Sequence, residues 1–278
     1  MKNIKVKMNT FTPSKVIIEA VGMPYDIDKP TIEIVNKVVG LYKHDSVSEH
    51  TVFNFTINGI SRAILQELVR HRIASMTVKS TRFALAKILK EFGIITDTKV
   101  VSIDGLNELS NYVVDCFLAP DKSDKTSPKD YDWFMRKLKI TNLDCLENMN
   151  EAKKRGFTSD YYKYFLTENL RVNLSWTINL RSLLNFLSLR LDKSAHFEIR
   201  HLATLIKSEV CRAPYIRNLI KLIDDRMTVD KILKHIKTYK ECYHEEAGSQ
   251  METPAEIDRN YTSKIEFIDD LIEYIKDK

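Results

Sequence analysis

At 278 residues with 44% hydrophobic content, the chain is long and apolar enough to bury a core as one elaborated domain. It holds four widely separated cysteines and no CxxC pair, so neither a disulfide framework nor a zinc site is expected. The net charge of +5 is uneven: residues 241–278 carry 11 acidic and 4 basic side chains, leaving 39 basic against 27 acidic in residues 1–240. That +12 body suits nucleotides, folates or nucleic acid, but a solvated lysine-rich surface has the same composition, so charge does not choose the function.

Along the chain, Ile4, Val6 and Met8 alternate with polar neighbours and Val16-Ile17-Ile18 is a short apolar run. The N-terminus therefore reads as strands around a Thr12-Pro13-Ser14 turn. Thr31 to Tyr42 reads as a helix. Phe53, Phe55 and Ile57 alternate with Asn54, Thr56 and Asn58, a half-buried strand. It feeds a helix with Ile60, Ile64 and Leu68 on one face, whose last turn holds Arg70-His71-Arg72. Ser75, Thr77, Ser80, Thr81 and Arg82 then form an expected hydroxyl-rich, carboxylate-free loop. Residues 120–129 read as an exposed loop between helical segments.

A second strand-to-helix passage follows. Leu170, Val172, Leu174 and Trp176 alternate with polar residues, and Leu180, Leu183, Leu184, Leu187 and Leu191 mark a helix face on which Arg181 and Asn185 stand four residues apart. A helix from Ala195 to about Cys211 comes next, with Ile199, Leu202, Ile206 and Val210 as its buried stripe. Residues 1–220 are expected as one domain. Residues 221–278 are expected as a helical extension, its last helix carrying Ile265, Ile268, Leu271, Ile272 and Ile275 against the core or a neighbouring subunit. No apolar run is long enough to span a bilayer, and MKNIKVKMNTFTPSK lacks a signal peptide's apolar region, so the cytoplasm, or a host's cytoplasm, is the expected location.

Arg70-His71-Arg72 is the most informative stretch. Basic residues at a helix C-terminus complement the helix dipole and need no ligand. The hydroxyl-rich residues after them shift the reading toward phosphate or a polar heterocycle. With seven glycines and neither GxGxxG nor GxxxxGK[ST], a dinucleotide would be held by side chains.

The run RHRIASMTVKSTRF resembles the RHR-x7-S signature of the flavin-dependent thymidylate synthases. Further blocks match in order: His44-Asp45-Ser46-Val47-Ser48-Glu49-His50, then Trp176 to Phe186, then Arg190 followed by Ala195 to Arg200. The resemblance spans roughly residues 40 to 210. It implies an α+β fold with a central antiparallel sheet flanked by helices. It also implies FAD-dependent reductive methylation of dUMP to dTMP, with methylenetetrahydrofolate and NADPH as co-substrates. The implied assembly is a homotetramer with shared active sites, and neither a metal nor nucleic acid is an expected partner.

By the same resemblance, His44, Ser46, Arg70, His71, Arg72, Asn179, Arg181, Asn185 and Leu189 would surround FAD. The nucleotide would meet Glu67, Ser80, Thr81, Arg82, Lys163 and Arg190. Arg190, facing the pyrimidine, has a physical role available: a guanidinium on a ring carbonyl stabilises charge developing on the ring and so favours attack from C5. Ser80, the other candidate for the chemistry, has no adjacent base in sequence, which favours substrate binding.

Departures from the family pattern cluster around the nucleotide. Thr77-Val78 replaces a polar pair, Glu67 a glutamine, Lys163 an arginine, and Leu166-Thr167 a Leu-Pro. Ser194, His196 and Phe83 also differ. A relative acting on another pyrimidine, one adding a hydroxymethyl group, and a non-catalytic flavin, nucleotide or nucleic-acid binder therefore remain as alternatives. If Glu67 reads the base, it favours an exocyclic amine, since a carboxylate only accepts hydrogen bonds; otherwise it pairs with Arg70 three residues on.

Overall fold

Alternating side chains build the scaffold of the computed structural model, which describes residues 4–98, 103–123 and 126–224. Strands β1 (Lys5–Phe11), β2 (Val52–Ser61), β3 (Ala74–Val78) and β4 (Arg171–Asn179) form a sheet in the order β1-β2-β4-β3, every neighbour antiparallel. The expected α+β class with a central antiparallel sheet is thus the observed one. Phe53, Phe55, Ile57, Leu174, Trp176 and Ile178 are buried on one face. The opposite face is polar and cross-linked: the Asn54 amide donates to Ser175 Oγ (3.1 Å) and Thr177 Oγ1 (2.8 Å), and Asn9 donates to Asn54 Oδ1 (2.7 Å).

Helices α1 (Ser14–Gly22), α2 (Ile32–Val35), α3 (Arg62–Leu68), α8 (Leu180–Arg190) and α9 (Phe197–Val210) contribute to the sheet's apolar core. Between them in sequence, α4 (Thr81–Thr98), α5 (Ile103–Cys116), α6 (Pro128–Lys154) and α7 (Ser159–Tyr162) supply a second core around Leu85, Phe92, Phe117, Leu146 and Met149. Residues 214–224 are helical across the expected boundary at 220, and Leu219, Ile220 and Ile223 belong to the first core. The expected terminal helix and Cys242 lie outside the described residues. Among the described residues no helix is long and apolar enough to cross a membrane.

Four expectations are corrected. Val16-Ile17-Ile18 lies in α1, not a strand: Ile17 and Val21, four residues apart, share one buried helical face, a period that a three-residue run cannot reveal. The helix expected from Thr31 to Tyr42 begins as α2 but widens into a π-helical stretch over Asn36–Leu41. Ile60 belongs to β2, where the register shifts between Asn58 and Ile60 and Gly59 takes φ +80°, so α3 starts only at Arg62. Ser75 and Thr77 lie not in a loop but on the exposed side of β3, with Ala74, Met76 and Val78 half-buried beneath.

Glu198 of α9 fixes the β2-to-α3 junction. Its carboxylate, 2% exposed, accepts from Ser61 N and Ser61 Oγ, each at 2.7 Å. The same Ser61 oxygen accepts from Ile64 N (3.2 Å) and so caps α3. At the other end of α9, Glu209 accepts from Met8 N (3.0 Å), beside the β1 irregularity between Met8 and Thr10.

Removing the buried carboxylate strands two donors. Glu198→Ala should lower unfolding free energy by about 2–4 kcal/mol, against at most about 0.5 kcal/mol for exposed Glu19→Ala. Urea denaturation followed by tryptophan fluorescence measures both, and equal losses would contradict the clamp.

Candidate active site

Because β2 and β4 are antiparallel, the helices that follow them leave opposite ends of the sheet. Both pack on its apolar face through Ile64 and Leu68 of α3 and Leu183 and Phe186 of α8. Their C-terminal ends meet. Arg190 Nη1 donates to Glu67 Oε2 at 2.9 Å, and Arg190 Nε donates to His71 Nε2 at 3.2 Å. The His71 ring stands edge-on to Phe186, centroids 5.0 Å apart, and Phe186 stands edge-on to buried Trp176 at 5.2 Å. An imidazole nitrogen that accepts carries no proton, so this contact requires neutral His71 protonated at Nδ1. Burial lowers the His71 pKa first, with Arg190 and Arg70 adding to the shift and Glu67 opposing it.

The triplet begins just beyond α3 rather than within its last turn, with Arg70 N and His71 N donating to the carbonyls of Glu67 and Leu68. Arg70 and Arg72 are exposed there. Glu67 does not pair with Arg70 as the sequence spacing allowed; it crosses to α8.

The other residues expected around a flavin follow α8. Asn179 caps its N-terminus, accepting from Ser182 N at 2.8 Å. Arg181, Asn185 and Leu189, each four residues after the last, form one exposed stripe. At the N-terminal end of that stripe Arg181 Nη1 meets Glu49 Oε1 at 2.6 Å. Glu49 lies in the tight helical turn Asp45–His50, which also carries Ser46, while His44 Nδ1 hydrogen-bonds Tyr25 Oη at 3.1 Å. Eleven residues of α-helix measure about 16 Å, so α8 carries clusters roughly that far apart at its two ends.

Ser80, Thr81 and Arg82 stand at the start of α4, whose N-terminal amides suit an anion. Arg62 Nη1 donates to Thr81 Oγ1 at 2.9 Å. Arg82 and Lys163, far apart in sequence, converge on one carboxylate: Asp160 Oδ1 lies 3.1 Å from Arg82 Nη2 and 3.2 Å from Lys163 Nζ. The Lys163 hydrogen bond and the two cationic charges hold the Asp160 carboxyl below its usual range. Ser80 Oγ has no histidine or carboxylate hydrogen-bond partner among the described residues.

Strand β3 separates this group from the triplet. Six extended steps from Ala74 to Ser80 cover about 20 Å, so the triplet with Glu67 and Arg190 lies at one end of β3 and Ser80, Thr81 and Arg82 at the other. Sequence reasoning missed Asp160, Arg62, Glu198 and the Glu67–Arg190 pair. Asp160, three residues before Lys163, had a local signal; the other contacts cross the fold.

Burial disfavours the thiolate at the three cysteines among the described residues. Burial pushes Cys116 up to about 11 and also raises Cys145 and Cys211.

The model of the family described as thymidylate synthase complementing protein matches residues 6–213. The flavin-dependent thymidylate synthase of Wolinella succinogenes is 37% identical over 171 residues, covering 62% of this chain and 72% of that protein. That of Helicobacter pylori is 37% identical over 171 residues, covering 62% and 73%. The crystal structure of Helicobacter pylori thymidylate synthase X with FAD and dUMP matches with a TM-score of 0.61 at 26% identity, over 79% of this chain and 99% of that one. Sequence, fold and the order of the charged blocks therefore agree that this chain belongs to the flavin-dependent thymidylate synthase family.

Proposed function

We propose that the chain converts dUMP to dTMP by FAD-dependent reductive methylation, with methylenetetrahydrofolate as carbon donor and NADPH as reductant. The observation that carries the reading is the meeting of Arg190 with the triplet segment across 119 residues of sequence. It brings Arg190, the cation expected to face the pyrimidine, against His71 of the segment expected to hold the flavin. The similar Helicobacter pylori enzyme was crystallised with FAD and dUMP.

The residues present fit FAD. Exposed Arg70, Arg72 and Arg181 offer charge-assisted donors to a diphosphate, and the Asn185 amide offers both donor and acceptor to a ring edge. Arg181 and its partner Glu49 are 55% and 48% exposed, so that surface pair can open at little cost. His71 at one end, with Asn179, His44 and Ser46 at the other, would complete the site. When bound and reduced by NADPH, the flavin would supply hydride to the transferred carbon.

Around it, the chain's own residues bind and orient. Arg82, Lys163, Ser80 and Thr81 hold the nucleotide phosphate, which takes over the two cations from Asp160. Arg190 donates to a pyrimidine carbonyl and stabilises negative charge on the ring as C5 attacks. Because β3 separates the phosphate-binding group at Arg82 and Lys163 from Arg190 and the triplet, the complete site would draw its residues from neighbouring copies. A homotetramer with shared sites meets that need.

His71→Ala and Arg181→Ala should each reduce FAD occupancy of the purified protein, read from its visible absorbance. Full occupancy in both would remove the flavin assignment.

Arg190→Ala should lower kcat by about a hundredfold or more, as for loss of one preorganised donor at a developing charge, and reduce flavin content far less. Product formation from dUMP by mass spectrometry decides it; near-normal turnover refutes the ring-activating role.

Arg82→Ala should chiefly raise the KM for dUMP, the signature of lost ground-state binding. A fall in kcat with unchanged KM would point away from a phosphate contact.

A further inference from the structure

Glu67 of α3, expected from the resemblance to meet the nucleotide, is instead engaged with Arg190. Glu67 and Arg190 are 30% and 20% exposed, the only ion pair among the described residues with both side chains so shielded, whereas most others lie on the open surface. Shielding weakens screening by water and salt, so this pair restrains its members more than a surface bridge does. We infer that Glu67, together with neutral His71, positions Arg190 and thereby sets where its guanidinium meets the pyrimidine. The inference rests on the role proposed for Arg190.

The geometry is a two-sided hold. Arg190 closes α8, where a long side chain has many rotamers, yet Glu67 takes a hydrogen on Nη1 and His71 takes the hydrogen on Nε. A guanidinium has five N–H donors, so the remaining ones stay available to a ligand carbonyl. Phe186, one helical turn before Arg190, packs against the His71 ring and limits its rotation. Glu67 also lines a groove of about 570 Å³ with Ala63, Gln66, Arg70 and Glu168, so the hold sits at an opening rather than deep in the core.

Protonation of His71 reverses the sign of one contact. An imidazolium has no lone pair for Arg190 Nε and repels the guanidinium. The charged groups facing His71 are Glu67 and Arg70 from its own segment and Arg190 from α8. Removing Glu67's charge therefore disfavours the imidazolium further, and removing Arg190's charge favours it. An inert ion pair that merely ties α3 to α8 predicts neither an effect on turnover nor a linked change in its pH dependence.

The test follows His71 directly, in the FAD-loaded protein labelled with [13Cε1]histidine and assigned with His71→Gln. NMR titration of wild type, Glu67→Gln and Arg190→Gln should place the His71 midpoint below the ordinary histidine value in wild type. It should move lower in Glu67→Gln and higher in Arg190→Gln. In parallel, Glu67→Gln should lower kcat with dUMP by about tenfold, as expected for a misplaced group, and shift the acid limb of its pH profile downward with the NMR midpoint. Identical midpoints in all three proteins, or wild-type kcat and pH profile in Glu67→Gln, would overturn the inference. Shifted midpoints in proteins that never turn over dUMP would leave the contact standing and overturn the functional reading instead.

Discussion

The buried carboxylate of Glu198 is the constraint on which the site depends. A carboxyl group 2% exposed is tolerated only with its hydrogen bonds satisfied, and Ser61 supplies two, one from the backbone and one from the side chain. Since Ser61 also caps α3, the carboxylate fixes the last residue of β2 and the first turn of the helix together. Gly59 adds to this: its N–H donates to Asn173 Oδ1 (2.9 Å) and its carbonyl accepts from Arg171 Nη1 (3.0 Å), pinning the bulge. The direction of α3 is therefore set from α9 and β4, not by its own seven residues.

That direction matters because α3 and α8 end at the same place. Two helix C-termini together make a region of negative potential, which attracts cations. Arg70, Arg72 and Arg190 occupy it, and Phe186 and Trp176 close it from beneath. Glu67 adds a carboxylate there, which would repel an anionic ligand if it were not turned to Arg190. The same Arg190 contact fixes the tautomer of His71. Charge placement around the triplet is thus a consequence of packing between two strand-to-helix passages of the same plan.

Much of this was legible in the sequence where a period or a spacing carried it. The alternations in Phe53–Ile57 and Leu170–Trp176 gave β2 and β4 because one sheet face is apolar and the other hydroxyl- and amide-rich. The Arg181–Asn185 spacing anticipated the exposed stripe on α8. Failures came where tertiary contacts overrode local pattern. Val16-Ile17-Ile18 was too short to separate strand from helix, and Ser75 and Thr77 of β3, polar enough for a loop, pair with Thr177 and Ser175 of β4. The partner of Glu67 lay 123 residues away, beyond any helical spacing, so the nearer Arg70 was the natural but incorrect choice.

The central claim is that the exposed stripe of α8 and the triplet beyond α3 form one ligand surface, completed by another copy of the chain. A crystal structure of the protein grown with FAD and dUMP tests it most directly. The account predicts the flavin against Arg181, Asn185 and His71, with the pyrimidine facing Arg190 and its phosphate on the Arg82 and Lys163 of a neighbouring copy. Flavin bound elsewhere while the α8 stripe stays bare, or a nucleotide phosphate distant from Arg82 and Lys163, would contradict it.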